Sequence, residues 1–175
     1  MLFCSGNGAH REGGHSPDFW NSTGPLKGIK RDLYEGGIRS PLLARWVGTV
    51  AAGSTSDHIS AFWDVLPTMA ELTGQPCPPQ STGVSMLPTL VGNNGGQKEH
   101  EYLYWEHPQA VKRDQAIRFG TWKGVVRGWK KDSTGAFELY NLESDLSEQH
   151  DVAGKYPEIV KKMQRMMTEA HRDIL

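Results

Sequence analysis

The sequence predicts an α/β protein: an incomplete α/β domain, a glycine-rich linker, and a small α+β subdomain with an antiparallel sheet and a C-terminal helix. Three observations lead to this fold class. The chain opens with a short apolar run that leads at once into glycine and asparagine, which is typical of a strand ending at a site. Short aromatic and β-branched runs follow residue 100. The last segment carries apolar residues at helical spacing.

Residues 1–92 are predicted to form the incomplete α/β part. Residues 1–5 read as a buried parallel strand, and a domain seldom begins with its own central strand. We therefore expect Met1 to lie inside a longer protein whose N-terminal part is missing here. The strand's partners would then be missing too, so the first ninety residues or so should expose apolar surface and an unpaired edge.

The middle of the chain is predicted to be a long loop, a strand and a helix. Residues 6–37 have no sustained period and read as a functional loop, and residues 38–46 read as a strand interrupted by Pro41. A helix should follow, capped by Asp57 and stopped at Gly74, with Pro67 kinking it or marking its true start. Its apolar stripe consists of Ile59, Phe62, Trp63, Leu66, Met69 and Ala70.

The second part, residues 98–175, follows a short helical piece at 81–90 and a flexible linker at 92–96. Four short runs predict the antiparallel sheet, at residues 102–106, 115–119, 122–127 and 137–140. The last helix should begin near Pro157 and bury one apolar stripe. That stripe consists of Ile159, Val160, Met163, Met166, Met167 and Ala170.

Composition limits the function very little. The chain has 175 residues, 37% of them hydrophobic and 22% charged, with a net charge of −1, so its bulk charge neither demands nor excludes a nucleic-acid partner. We predict none. No apolar run approaches the roughly 20 residues that span a bilayer, and the start is too short and uncharged for a signal peptide. Cys4 and Cys77 fit no metal spacing and are predicted to be unpaired thiols.

The densest polar segment is residues 24–41, where four cations alternate with glycines: Lys27, Lys30, Arg31 and Arg39. Backbone amides and cationic side chains can converge there on a small oxyanion. The alternative is a solvated basic loop. Arg39 is expected to organise structure by pairing with Glu35 or a backbone carbonyl.

The order of residues in this segment resembles the signature of the sulfatase family, a glycine-lysine segment followed by Glu-Gly-Gly-x-Arg-x-Pro. It stands here as Gly-Ile-Lys at residues 28–30 and Tyr-Glu-Gly-Gly-Ile-Arg-Ser-Pro at 34–41. Ser-Gly-Asn-Gly at residues 5–8 resembles the family's Ser-Asp-Asn-Gly motif. Further matches lie at residues 12–15, 21–30, 63–68 and 138–153. Because several ordered motifs agree over nearly the whole chain, the resemblance is specific.

The resemblance implies sulfate-ester hydrolysis in an alkaline-phosphatase-like α/β fold. The family's nucleophile is a formylglycine hydrate, made within Cys/Ser-x-Pro-x-Arg beside a calcium ion. By position, Lys30 resembles the catalytic lysine that binds the sulfate and neutralises charge as the S–O bond breaks. Asn7 resembles the amide ligand of the calcium ion. The parent protein is expected to be periplasmic or secreted.

Two departures from the family pattern limit this chain. The family's metal-ligand aspartate falls on Gly6, which lacks a side chain, so calcium binding should weaken. No Cys/Ser-x-Pro-x-Arg occurs, and the nearest segment, at residues 77–81, ends in serine and lies downstream of the nucleophile's place. The nucleophile and the other carboxylate ligands are therefore expected in the missing N-terminal part. The chain alone is predicted to be inactive.

Other polar and aromatic residues keep two interpretations each. His10 and His15 are predicted to contact the sugar or aryl part of the substrate, or are surface histidines. Asp18 and Asn21 bind substrate or fix the loop. Five aromatic side chains could stack on carbohydrate but are expected to be core: Tyr102, Tyr104, Trp105, Trp122 and Trp129.

The predicted function is that of a sulfuric ester hydrolase fragment whose parent acts on a sulfated small molecule or glycan, with sulfated carbohydrate favoured. One alternative is a phosphate-ester hydrolase of the same superfamily, since Lys30 and calcium ligands also suit phosphoryl groups. The Glu-Gly-Gly-x-Arg segment favours the sulfatase. Another alternative is a degenerate, non-catalytic homologue that binds a sulfated ligand, which Gly6 favours.

Overall fold

The computed structural model describes residues 1–108, 113–129 and 135–171, without the side chains of Pro108, Arg113 and Trp129. In chain order its elements are β1 (Leu2–Cys4), α1 (Pro17–Trp20), α2 (Glu35–Ile38), β2 (Leu42–Ala44), α3 (Val65–Thr73), α4 (Leu87–Leu90), β3 (Leu103–Pro108), β4 (Arg113–Phe119), β5 (Trp122–Trp129), β6 (Phe137–Asn141) and α5 (Pro157–Ala170). Single 3₁₀ turns lie at Glu12–Gly14, Phe62–Asp64, Asn94–Gly96 and Ala153–Lys155.

The contacts divide the chain into two units. Unit 1 comprises Met1–Cys4 and Leu42–Glu101, and unit 2 comprises Ser5–Pro41 and Tyr102–Leu175. The polar loop after β1 therefore groups with the C-terminal sheet. The domain boundary expected between residues 92 and 98 concerns the domains of the parent protein and stays a prediction.

In unit 1, β1 pairs antiparallel with β2, with Leu2 opposite Ala44 and Cys4 opposite Leu42. The prediction of a buried parallel strand is wrong for this pairing, and Phe3 in the middle of β1 is 64% exposed. The strand predicted at residues 38–46 is also shortened. It begins only after Pro41, which has no N–H group to donate to a ladder, and Ile38 ends the helical turn α2.

Helix α3 is shorter than the helix that the apolar stripe from Ile59 to Ala70 predicted. Pro67 lies in its first turn, where the missing N–H costs no helical bond, so Pro67 marks the true start. The expected cap, Asp57, is not used. Asp64 instead accepts a hydrogen bond from Ala61 N–H at 2.7 Å, just before the helix. Gly74 ends the helix in the left-handed conformation, as predicted.

In unit 2, the predicted antiparallel sheet is confirmed, with strand order β3-β4-β5-β6. Adjacent residues on a strand point to opposite faces, so the sheet buries both sides. Ile117, Val126 and Leu139 form one core with the methionines of α5. Their chain neighbours form the second core with Leu33 and Tyr34: they are Ala116, Val125 and Tyr140. The sheet thus packs against α5 on one face and against Leu33 and Tyr34 on the other. These two residues belong to residues 28–41, which we call the signature segment.

The aromatic residues of unit 2 mostly belong to these cores. Tyr102, Tyr104 and Trp122 pack against the α5 core, and Trp105 packs against the core beneath the signature segment. The core interpretation is confirmed for these four. The side chain of Trp129 lies outside the described residues.

Candidate functional site

The backbone around Lys30 is held by one hydrogen bond to the preceding loop and by two within residues 27–36. Lys30 N–H donates to the carbonyl of Ala9 at 2.7 Å, which ties it to the loop that follows Asn7. Gly36 N–H donates to the carbonyl of Lys27 at 2.8 Å. Asp32 closes the turn by accepting from Ile29 N–H at 2.9 Å. The signature segment therefore folds back on itself, and Lys30 lies in the turn.

Three glycines make this folding possible because the backbones touch where a side chain would stand. A Cβ on Gly36 would lie 2.3 Å from the Gly28 carbonyl oxygen, and one on Gly37 would lie 2.1 Å from that of Asp32. A Cβ on Gly8 would lie 1.8 Å from the Gly36 oxygen. Real Cβ atoms essentially never approach within 3.0 Å. The glycine pair of the signature is thus a steric requirement for placing Lys30 beside residues 8 and 9.

The Lys30 ammonium group meets an acidic residue. Its Nζ lies 2.9 Å from Oε2 of Glu12, and the Arg31 guanidinium binds the other oxygen of the same carboxylate. The hydrogen bond from Lys30, together with the charges of Arg31 and Lys30, lowers the pKa of Glu12. The Glu12 carboxylate thus binds both cations, Lys30 and Arg31.

Both predicted histidines lie in this cluster. Nδ1 of His10 accepts from Glu12 N–H at 3.1 Å, and the rings of His10 and His15 pack edge to face with centroids 5.0 Å apart. The structure therefore brings Lys30, His10 and His15 together around Glu12. Sequence reasoning gave no role to Glu12. Its only signal was the Glu-Gly-Gly-His match at residues 12–15.

The other two cations of the segment do not join this cluster. Lys27 Nζ donates to the Tyr140 hydroxyl and to the Glu148 carbonyl, both at 3.1 Å. Arg39 pairs with Glu35 at 3.3 Å, which confirms its expected structural role. Of the four cations predicted to converge on an oxyanion, only Lys30 and Arg31 therefore meet.

Glu35 anchors the signature segment to the sheet. Its carboxylate lies 2.8 Å from Lys123 Nζ on β5, and its N–H donates to Glu148 Oε2 at 2.7 Å. Burial raises the pKa of Glu35, but the charges of Lys123, Arg118 and Arg39 outweigh burial and lower it overall. Glu35 is thus held as a carboxylate inside unit 2.

Asn7, the predicted calcium ligand, is exposed at the start of the loop. Ser5 Oγ donates to its carbonyl at 2.7 Å, and the next residue, Gly8, donates to Gly37. Within the described ranges, no three His, Cys, Asp or Glu side chains are grouped so as to hold a metal ion. One neutral amide does not make a calcium site, so the residues of this chain do not fit the ion on their own.

Gly6 lies next to Asn7 in open space. A Cβ there would have nothing within 4 Å, and its φ angle lies outside the left-handed region. An aspartate at position 6 would therefore be accommodated without strain. A steric limit of the loop therefore does not explain why aspartate is absent from position 6.

The remaining predicted residues have structural partners. Asp18 binds Arg11 at 2.9 Å. Asn21 ends α1 in the left-handed conformation, with φ of 47°, so it fixes the loop.

Cys4 and Cys77 are free thiols, as predicted. None of the helices in the part of the chain that the structure describes is long and apolar enough to cross a membrane.

Curated relatives extend these observations. Human arylsulfatase A is 30% identical over 82% of this chain, and rat steryl-sulfatase is 36% identical over 98%. The N-acetylglucosamine-6-O-sulfatase of Bacteroides thetaiotaomicron is 32% identical over 79% of the chain. The chain spans 32%, 31% and 25% of the lengths of these three proteins, respectively.

Solved structures share the fold. The crystal structure of Ps i-CgsB superimposes with a TM-score of 0.76 at 28% identity, over 96% of this chain and 35% of that one. A second structure, in complex with its substrate D-glucosamine-2-N,6-O-disulfate, gives a TM-score of 0.65 at 26% identity, over 79% of this chain and 29% of that one.

A protein-family model accounts for most of the sequence. The model described as N-sulphoglucosamine sulphohydrolase, C-terminal, matches residues 29–173. That range runs from the turn before Lys30 through the sheet and the last helix. The predicted α/β fold class and the resemblance drawn from the signature are both confirmed, and the chain belongs to the sulfatase family.

Proposed function

We propose that the whole protein containing this chain hydrolyses sulfate esters of sulfated carbohydrates, and that Lys30 binds the sulfate group. The observation that carries the proposal is the folded signature segment, which holds the Lys30 ammonium 2.9 Å from Glu12, the residue that His10 also contacts. The names of relatives support the substrate class: one acts on N-acetylglucosamine-6-O-sulfate, and a solved neighbour was captured with a disulfated glucosamine.

The chemistry of a sulfate ester suits this arrangement. The ester carries a negative charge, and breaking its S–O bond moves further charge onto the leaving oxygen. An ammonium group next to that position stabilises the developing charge more than the resting ester. Lys30 has three N–H donors and uses one on Glu12, so it can bind a sulfate oxygen beside the carboxylate or in its place.

His10 and His15 are proposed to contact the sugar. They stand on the same loop as Glu12, and an imidazole presents both a hydrogen-bonding edge and a flat face to a sugar ring. Neither needs a charge for this role. We assign them to substrate binding and not to proton transfer.

The nucleophile and most metal ligands are proposed to come from the rest of the protein. Formylglycine and calcium are implied by family membership, and Asn7 is the residue of this chain that would face the ion. The chain alone is proposed to be inactive. The apolar side chains exposed in unit 1 are proposed to pack against the remaining two-thirds of the sulfatase, which we expect in the periplasm or outside the cell.

A non-catalytic sulfate-binding protein is the second candidate function. Gly6 favours it, because the family's carboxylate ligand is missing at a position that has room for one. A carbohydrate-binding role needs Lys30 and the histidines but not the ion. The two candidates differ in whether the protein extended upstream hydrolyses a sulfate ester, with glycine or with aspartate at position 6.

The decisive experiment compares two proteins, each coexpressed with the formylglycine-generating enzyme. One is this chain, and the other is extended upstream through a Cys/Ser-x-Pro-x-Arg motif. Hydrolysis of an aryl sulfate and of N-acetylglucosamine-6-sulfate is followed with calcium present. We expect activity in the extended protein only, and a loss of about 10²- to 10³-fold in Lys30→Met, the usual size for one oxyanion donor.

Lys161→Met is the matched control, because Lys161 is exposed on α5 and forms an ion pair with Glu158 on the same helix. An equal loss in both variants would refute the role of Lys30. Inactivity of the extended protein and of its Gly6→Asp variant, with sulfate binding retained, would establish the binding protein. Hydrolysis of an aryl phosphate in preference to the sulfate would establish the phosphate-ester alternative.

A further inference from the structure

A buried group of charges lies beneath the signature segment. Lys123 is fully buried, and its Nζ lies 2.8 Å from Glu35 and 3.6 Å from Oε1 of Glu148. Glu148 is also fully buried. Arg39, whose side chain is half-exposed, completes the group by pairing with Glu35. Each buried carboxylate therefore has a cation as its partner, which a buried charge needs to avoid a large desolvation cost.

Glu148 contacts both ends of the segment that carries Lys30. Its carboxylate accepts from Glu35 N–H at 2.7 Å, after Lys30 in sequence. Its backbone carbonyl accepts from Lys27 Nζ at 3.1 Å, before Lys30. The Lys27 ammonium also lies 4.0 Å from the centre of the Tyr34 ring. One residue of the C-terminal subdomain therefore fastens the segment on either side of Lys30.

The contacts of Glu35 extend to Lys30 through the backbone. Glu35 begins the helical turn α2, and the next residue, Gly36, donates to the Lys27 carbonyl. Gly36 also approaches the Gly28 carbonyl so closely that a Cβ would not fit. A shift of Glu35 by a few tenths of an ångström would thus move the backbone of residues 27–30, and with it Lys30.

We propose that Lys123 and Glu148 are positioning residues for Lys30: they hold Glu35, and Glu35 holds the turn against which residues 27–30 are folded. The sheet of the small subdomain is thereby part of the sulfate-binding apparatus and not an appendage to it. The proposal rests on the proposed function for the role of Lys30, but the positioning itself is a property of the fold that can be measured without any substrate.

The test measures amide hydrogen exchange by NMR in the full chain. The reporters are the N–H groups of Lys30 and Gly36, compared with those of Ala116 and Val125 in the sheet. In Glu148→Ala we expect the two reporters to exchange at least about tenfold faster relative to the sheet. Glu148→Gln should stay within about threefold of the parent chain, because its amide oxygen can still accept from Glu35.

The matched control is Met163→Ala, which removes a fully buried side chain from the core that includes α5, on the opposite face of the sheet. It should destabilise unit 2 without changing the ratio of reporter to sheet exchange. An equal ratio in Glu148→Ala and Met163→Ala would overturn the proposal. If Glu148→Ala does not fold, Lys27→Met tests the same attachment from its other end, with the same expected ratio.

A titration with inorganic sulfate separates this proposal from the proposed function. The affinity should fall at least about tenfold in Glu148→Ala and should be unchanged in Met163→Ala. If the parent chain binds no sulfate at Lys30, the proposed role of Lys30 in this chain fails, while the exchange ratios still decide whether Glu148 positions the segment. Unchanged sulfate affinity in Glu148→Ala would refute the positioning of Lys30.

Discussion

The two units of the chain differ in what they bury. Among the described residues, the buried apolar side chains belong to unit 2, with the exceptions of Pro67 and Met86. Among the described residues, most of the large apolar side chains that are exposed belong to unit 1, and three belong to unit 2: Phe19, Trp20 and Tyr156. Unit 2 is therefore built around apolar cores, whereas unit 1 presents its apolar residues to the outside.

Half of the described residues that unit 1 buries are polar: Asp64 and Thr68, beside Pro67 and Met86. Asp64 is fully buried and accepts from Ala61 N–H, from Val84 N–H and from the ring of His100. Thr68, also fully buried, bonds the Asp64 carbonyl and Met86 N–H. Hydrogen bonds can therefore define the local shape of a unit whose apolar faces remain open. Four predictions test it, in order of decreasing effect.

The largest expected effect is in unit 2. Lys123→Met removes the buried cation that Glu35 and Glu148 share, and breaking such a buried pair typically costs about 3–5 kcal/mol of unfolding free energy. Urea unfolding followed by tryptophan fluorescence measures the loss. The exposed Lys161→Met should change stability by less than about 0.5 kcal/mol. A loss below about 1 kcal/mol in Lys123→Met would contradict the buried arrangement.

In unit 1, the expected effect of removing Asp64 is smaller but still large. Asp64→Ala leaves the N–H groups of Ala61 and Val84 without their acceptor, at about 1–3 kcal/mol for each group that stays buried. Hydrogen exchange of the Val84 and Met86 amides reports the loss. Asp57→Ala is the control, since Asp57 was the expected cap and the structure leaves it exposed. Equal losses in both variants would show that Asp57 caps the helix after all.

The third effect is a pH dependence in unit 1. Burial lowers the pKa of His58 below its ordinary value, and in the described part of the chain its Nε2 has no hydrogen-bond partner. The unfolded chain then binds a proton near the ordinary pKa of about 6.5, before the folded chain does. Stability is therefore complete above that pH and is lost as pH falls towards the folded-state pKa.

His58→Leu should remove that loss between about pH 7 and pH 5, because the neutral side chain cannot titrate. Thermal unfolding of both proteins across this range provides the measurement. His150→Leu is the control, since the His150 side chain is 83% exposed in unit 2. If the two variants flatten the profile equally, His58 is not the source of the pH dependence.

The smallest effect on stability is expected at the exposed apolar face. Leu43 on β2 is 62% exposed, so Leu43→Lys should change stability by no more than about 0.5 kcal/mol. It should nevertheless reduce the binding of a hydrophobic dye, since dyes bind contiguous apolar patches. Phe19→Ser in unit 2 should reduce it less. A chain that binds no dye at all would contradict the open face of unit 1.

Much of unit 2 could be predicted from sequence because its signals are local. Aromatic and β-branched runs predicted the sheet, and helical spacing predicted α5. In unit 1, Gly74 marked the end of α3 for the same reason. Each of these depends on residues within a few positions of one another.

The partners that complete the site could not be predicted, because they are distant in sequence. Lys123 and Glu35 are separated by 88 residues, and Glu35 and Glu148 by 113. Charge pairing over such distances leaves no periodic pattern. Glu12 was missed because its role depends on how the loop returns to Lys30. The antiparallel pairing of β1 with β2 was missed because an apolar run of three residues does not specify its partner.

Glu148 also has an unusual backbone. Its φ angle is 52°, in the left-handed region that costs a residue with a side chain about 1 kcal/mol or more and that glycine adopts freely. Glycine would ease the backbone yet remove the carboxylate that meets Glu35, so the two demands exclude each other. Random substitution at this position should therefore be tolerated as poorly as in a hydrophobic core, although Glu148 stands in a connecting turn. A deep mutational scan of this turn should show Glu148 as intolerant, followed by the exposed and permissive side chains of Gln149 and His150.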